Sequence, residues 1–216
     1  GATSGAGRRR ATSAWRGSVA LADAAKPVLL EAREVTVRFG GLVAVDSVSA
    51  SFRAGELVGI IGPNGAGKTT FFNALTGVQR PTGGRLVADG RDLTGAGPHR
   101  FAARGLARTF QTPRVFGDLS VATNIGFGLK FAGRRRRQWW LWGDEVGVPW
   151  ALRDVAGILG RIGLREQAAL PAGSLTPSQQ RLLEIGMALS TRPRLLLLDE
   201  VAAGLTEAEL EDMARL

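Results

Sequence analysis

The chain has 216 residues, room for one domain with a sizeable core, and its 44% hydrophobic and 22% charged residues exclude a wholly disordered or fibrous chain. With no cysteine and one histidine, His99, disulfides, thiolate metal centres, cysteine nucleophiles and His-rich metal sites are excluded; a Ser-His-Asp hydrolase would rest on His99 alone, in a polar loop. The net charge of +9 is local, because seven arginines lie in the runs 8–10 and 134–137; removing those seven from 28 basic residues leaves 21 against 19 acids, and no nucleic-acid partner is expected.

In chain order, residues 1–26 mix Gly, Ala, Ser, Thr and Arg without an apolar period and read as a linker or tail. Segments 28–30, 35–39, 43–45 and 48–52 carry β-branched alternation broken by Gly40-Gly41, the pattern of antiparallel strands. Residues 57–61 are an all-apolar run that predicts a strand buried on both faces, followed by a glycine-rich turn and a helix over 70–75. A strand is predicted at 84–89 and helices at 98–104 and 120–131. Leu152, Val155, Ile158, Leu159 and Ile162 then recur at helical spacing. A helix over 179–189, a buried strand at 195–198 and the start of another helix at 207–216 complete the pattern. No apolar run approaches the roughly 18 residues that span a bilayer and no signal peptide is present, so the chain as given reads as soluble. Starting at Gly1 and stopping inside a helical pattern, it reads as a fragment.

Gly62-Pro63-Asn64-Gly65-Ala66-Gly67-Lys68-Thr69 fits G-x-x-x-x-G-K-[ST], after a predicted strand and before a helix that Thr70 continues. Glycines let such a loop turn its N–H groups onto phosphate oxygens, and the helix N-terminus adds positive potential. Lys68 is then the cation for the β- and γ-phosphates and Thr69 a ligand for Mg²⁺. Leu195-Leu196-Leu197-Leu198-Asp199-Glu200 delivers two acids to the end of a strand about 130 residues later. Asp199 suits Mg²⁺, and Glu200 suits a general base or a group that orients the attacking water.

These residues resemble the ATP-binding-cassette (ABC) ATPases over about residues 28–216. The resemblance implies an α/β fold: a P-loop NTPase core with a mainly parallel sheet, an N-terminal antiparallel β subdomain and a helical subdomain at about 112–190. Phe39, about 23 residues before the phosphate loop, stands where the family stacks an aromatic on adenine, although it also suits a core strand. Gln111, in Arg108-Thr109-Phe110-Gln111, resembles the Q-loop glutamine, which in the family touches Mg²⁺ or the lytic water and moves with the transmembrane partner; a polar loop residue is the plainer reading. Gln179-Gln180-Arg181-Leu182-Leu183-Glu184-Ile185 resembles the stretch after the signature motif. With Gly40-Gly41-Leu42, Gly105-Leu106-Ala107 and Ala202-Ala203-Gly204-Leu205, the chain is most similar to ATPase subunits of branched-chain amino acid importers.

The resemblance therefore implies ATP and Mg²⁺ as ligands, hydrolysis that powers a membrane importer, a permease domain or subunit and a second ABC ATPase subunit as partners, and a peripheral place on the cytoplasmic face of the membrane. Two other functions stay open: a nucleotide-binding regulatory or degenerate subunit of an ABC heterodimer with little hydrolysis, and a soluble ABC protein outside transport. The sequence departs from the family at its signature. Leu175-Thr176-Pro177-Ser178-Gln179 stands for LSGGQ, where Pro177 lacks an N–H and Ser178 replaces a glycine that lets backbone approach phosphate. Thr176, Ser178 and Gln179 remain candidates for ATP held by the opposite subunit. The same residues also make a capping box, with Thr176 as N-cap, Pro177 first in the helix and Gln179 reaching back. Val201 and Thr206 replace the proline and the acidic or amide residue usual in the family. The switch histidine would lie beyond Leu216. Arg134 to Arg137 with Trp139, Trp140 and Trp142 suit either the headgroup layer of a membrane or a solvated insertion.

Overall fold

A computed structural model describes residues 26–110, 113–133 and 149–199. The predicted tail at 1–26 lies outside them apart from Lys26, as do the Arg-Trp segment at 134–142 and the final predicted helix at 207–216.

The β-branched alternation and the Gly40-Gly41 break produce a long hairpin, β1 (Val28–Phe39) and β2 (Leu42–Arg53), antiparallel as predicted. Its turn is tight, with Phe39 opposite Leu42 and Gly40 at φ +56°, a value that favours glycine. β3 (Gly83–Ala88) and the two-residue β4 (Arg91–Asp92) extend the sheet in the order β2-β1-β3-β4. After β2 come α1 (Lys68–Leu75), α2 (Pro98–Ala103) and β5 (Leu106–Arg108). The second half holds α3 (Val121–Gly133), α4 (Pro149–Arg161), α5 (Pro177–Ser190) and β6 (Leu195–Leu197). β5 and β6 pair in parallel, Leu106 beside Leu195 and Arg108 beside Leu197.

Two hydrophobic clusters follow from these elements. One joins Leu30, Val35 and Val37 of β1 to Phe71 and Leu75 of α1, Leu86 of β3, Phe101 of α2, Leu106 of β5 and Leu197 of β6. The other is helical: Val121 and Ile125 of α3, Leu159 of α4, Leu183 of α5, with Ile162, Leu164 and Leu175. Each such buried side chain contributes about 1.5–3 kcal/mol relative to exposure. α3 and α5 approach closely at Gly128, where a Cβ would stand 1.7 Å from Ser190 Oγ and 2.7 Å from the Met187 carbonyl oxygen, so a side chain there would push the two helices apart.

The predicted helices at 70–75, 98–104, 120–131 and 179–189 and the strands at 84–89 and 195–198 all appear within a few residues of their expected bounds. Segment 57–61 differs. It forms no strand among the described residues, and only one of its sides is covered: Val58 and Ile60 pack on the first cluster, whereas Leu57 is 94% and Ile61 84% exposed. An apolar run is buried on both faces only where other elements pack over each face, and here only the Val58 and Ile60 side is covered.

Candidate functional site

The phosphate-loop sequence leads directly into α1. Gly67 is the helix N-cap in the left-handed region, φ +85°, and its side-chain position is filled by the neighbouring hairpin: a Cβ would lie 2.1 Å from the Ala44 carbonyl oxygen. Only glycine fits there. No side chain caps α1, and the N–H groups of Lys68, Thr69 and Thr70 have no carbonyl one turn earlier within the helix. Gly65, at φ +79°, turns the loop over. Pro63, Asn64, Gly65 and Thr69 are exposed, while Gly62, Ala66, Gly67, Lys68 and Thr70 are half-buried. Lys68 Nζ folds back over the loop and donates to the carbonyls of Gly62 at 2.7 Å and Pro63 at 2.9 Å. Uncapped amides, a left-handed glycine and a half-buried ammonium on one turn form a cradle suited to an anion with several oxygens.

The hairpin turn reaches the same place. Phe39 ends β1, 49% exposed and opposite Leu42, two residues before the Ala44 carbonyl that abuts Gly67. An exposed aromatic at that point is free to stack on a flat ring.

Asp199 follows β6 and is 6% exposed. Its N–H donates to Thr109 Oγ1 at 3.3 Å, and Arg108 Nη2 lies 3.4 Å from its Oδ2. Arg108 Nη1 donates to Asn73 Oδ1 at 2.7 Å and Thr76 Oγ1 at 3.1 Å, both at the far end of α1. One guanidinium therefore ties the helix after the phosphate loop to the acid at the end of β6. Burial depresses the Arg108 pKa, opposed by the charges of Asp199 and Glu184. Arg108→Ala is expected to lower the unfolding free energy by about 3 kcal/mol, because it removes an ion pair and two side-chain hydrogen bonds from a largely buried place between β5, α1 and the end of β6. Urea denaturation is the measurement, and a loss below about 1 kcal/mol would show that these Arg108 contacts do not hold the elements together.

Among the described residues, then, the hairpin that carries Phe39 abuts the loop at Gly67, and Arg108 links Asp199 to the far end of α1, the helix that the loop leads into. Gln111 and Glu200 lie outside the described residues, although Phe110 and Pro113 before and after Gln111 are placed. Thr176, Ser178 and Gln179 sit at the start of α5, and the predicted capping box is present. Gln179 N–H donates to Thr176 Oγ1 at 3.3 Å, and Thr176 N–H donates to Gln179 Oε1 at 3.0 Å. Ser178 Oγ is 3.2 Å from the same threonine hydroxyl. His99 is exposed on α2. Sequence reasoning gave no role to Arg108 or Glu184; the available signal for Glu184 was a carboxylate inside the apolar run Leu182 to Ile185 of a helix.

The ABC transporter family matches residues 45–203. The chain belongs to that family. The ABC chain is 40% identical over 195 residues to the high-affinity branched-chain amino acid transport ATP-binding protein BraF of Pseudomonas aeruginosa, an alignment covering 87% of this chain and 75% of that protein. It is 39% identical over 195 residues, with the same coverage, to the corresponding protein LivG of Escherichia coli. Among solved structures, an ATP-binding cassette of an ABC transporter in its ADP conformation is 30% identical, with a TM-score of 0.70 over 88% of this chain and 75% of that one. The α/β architecture expected of an ABC ATPase, with an antiparallel N-terminal sheet beside parallel strands, is thus the one observed. No helix among the described residues is long and apolar enough to cross a membrane.

Proposed function

We propose that this chain binds ATP with Mg²⁺ and hydrolyses it to power a membrane importer for branched-chain or related amino acids, from the cytoplasmic face, together with a permease and a second ABC ATPase subunit. The observation that carries the transport reading is the 40% identity to branched-chain amino acid transport ATP-binding proteins over most of both chains. For nucleotide it is the Gly67-Lys68 turn, whose geometry suits phosphate. Residues 62–70 hold the triphosphate through backbone N–H groups and Lys68, and Phe39 stacks on the base. Thr69, Asp199 and Gln111 are the residues that would hold Mg²⁺, which supplies charge neutralisation between the phosphates. Glu200 takes the proton of, or orients, the water that attacks the γ-phosphate in line, while Lys68 and the loop amides stabilise charge on the transferring oxygens.

A second reading, a degenerate subunit of a heterodimer, has one observation in its favour. The side chains of Thr176 and Gln179 each already accept the other residue's backbone N–H at the helix start, and Pro177 offers no N–H for phosphate. The transport reading is tested by labelled uptake in cells lacking this gene. Leucine, isoleucine and valine uptake is expected to fall to background while uptake of a basic amino acid persists, and return of the intact gene restores it. Unchanged uptake of all three would reject the substrate class.

A further inference from the structure

Arg108 ends β5, and its side chain, 11% exposed, runs into the space between that strand, α1 and the end of β6. Each nitrogen of the guanidinium is engaged there. Nε donates to the Thr109 carbonyl at 3.1 Å, Nη1 to Asn73 Oδ1 and Thr76 Oγ1, and Nη2 lies beside Asp199 Oδ2. The ring of Phe110 covers one flat side, its centroid 5.0 Å from Arg108 Cζ. The Thr76 hydroxyl is fixed in turn, since it donates to the Phe72 carbonyl at 2.9 Å. A planar fork held at all its nitrogens cannot turn without breaking several contacts.

Asn73 and Thr76 come four and seven residues after Thr69, a spacing that puts all three on one face of α1. Thr69 is thus about 6 Å along the helix from the residue that receives Nη1, and the Asp199 carboxylate lies across the width of one guanidinium from that face. The backbone of Asp199 is placed separately, by its N–H on Thr109 Oγ1 and by the pairing of β5 with β6. We infer that Arg108 is a positioning residue for the metal site: it orients the Asp199 carboxylate against the face of α1 that begins at Thr69. A hydroxyl and a carboxylate are donors that a hard divalent cation takes, and a metal-ligating carboxylate is aimed by what bonds it from behind. A tie that served stability alone could be apolar, at lower desolvation cost. A fork shared between α1 and Asp199 sets an angle as well as a distance.

The inference rests on the proposal that Thr69 and Asp199 would hold Mg²⁺, and Mn²⁺ serves as the probe. Free Mn²⁺ is counted by its EPR signal in full-length protein loaded with a non-hydrolysable ATP analogue, protein in excess over nucleotide, and analogue affinity is measured separately in EDTA. Arg108→Lys keeps a positive charge beside Asp199, but one ammonium cannot serve α1 and the carboxylate in the same geometry. It should weaken Mn²⁺ binding by about 10- to 100-fold. Analogue affinity in EDTA should stay within about twofold, because the loop before α1 is untouched. Asn73→Ala removes an anchor of the guanidinium on α1, rather than the Asp199 contact itself, and keeps the helical preference. It should weaken Mn²⁺ binding by about threefold or more, with no further loss in the Arg108→Lys background. Mn²⁺ affinity within about twofold of wild type in a folded Arg108→Lys variant overturns the positioning role, and so does an Asn73→Ala effect that persists in full in the double variant. Equal weakening of Mn²⁺ and of the analogue in EDTA also overturns it, since that marks a general loss of structure. Should Arg108→Lys not fold, Asn73→Ala decides alone, and unchanged Mn²⁺ affinity there overturns the role. If loaded wild type binds Mn²⁺ no more tightly than the free analogue does, the Mg²⁺ reading of Thr69 and Asp199 fails first and takes this role with it.

Discussion

Lys68→Ala is expected to abolish ATP binding while leaving the fold nearly intact. The Lys68 ammonium sits over the start of the loop, on the Gly62 and Pro63 carbonyls. Those two contacts are to backbone oxygens that water can satisfy when the side chain is removed, because Pro63 is exposed and Gly62 half-buried. Toward a triphosphate the same ammonium makes charge-assisted bonds, each about 1.5–3 kcal/mol, and nothing else described on the loop carries a positive side chain. Losing two of them weakens binding by about 10²- to 10⁴-fold, beyond the range of an ordinary titration. Alanine is also the best helix former, so position 68 of α1 keeps its helical preference. Binding of ATP with Mg²⁺, measured beside thermal unfolding, is the check. Affinity within about twofold of wild type, with an unchanged unfolding midpoint, would remove residues 62–69 from the phosphate site.

Much of this arrangement was legible because it is local. The G-x-x-x-x-G-K-[ST] spacing fixes a turn and a helix start within eight residues, and Gly67 is glycine because the Ala44 carbonyl occupies its side-chain position. The Thr176 capping box is equally local, a cap and a residue three positions on. The hairpin could be read from alternation broken at Gly40-Gly41. What the pattern did not show was the cross-links. Arg108 meets Asp199 across 91 residues and Glu184 meets Phe110 across 74, and each pair joins an element whose own sequence is ordinary. β5, three residues long, and β4, two, are too short for any period to declare them. Segment 57–61 shows the converse: composition states how apolar a segment is, but what packs over each side decides whether both are covered.

The anchoring of Asp199 bears directly on the residue after it. Three contacts of described residues hold the end of β6: the Asp199 N–H on Thr109, the Thr109 N–H on the Leu197 carbonyl at 3.0 Å, and Arg108 beside the carboxylate. In the proposed mechanism the next residue, Glu200, prepares the attacking water. Glu200→Gln keeps the shape and the hydrogen-bonding reach but cannot take a proton. Since general-base catalysis contributes about 10²- to 10⁴-fold, ATP hydrolysis by the full-length protein with its permease is expected to fall by about 10²-fold or more. ATP affinity should stay within about twofold, because the phosphate cradle of residues 62–70 is untouched. Single-turnover hydrolysis and equilibrium binding measured on the same preparation separate the two quantities. If the variant turns over as fast as wild type, Glu200 does not prepare the nucleophile. If wild type is itself as slow as the variant while both bind ATP tightly, the heterodimer with a degenerate site accounts for the chain better than the active importer subunit, and Pro177 with Ser178 becomes the physical reason.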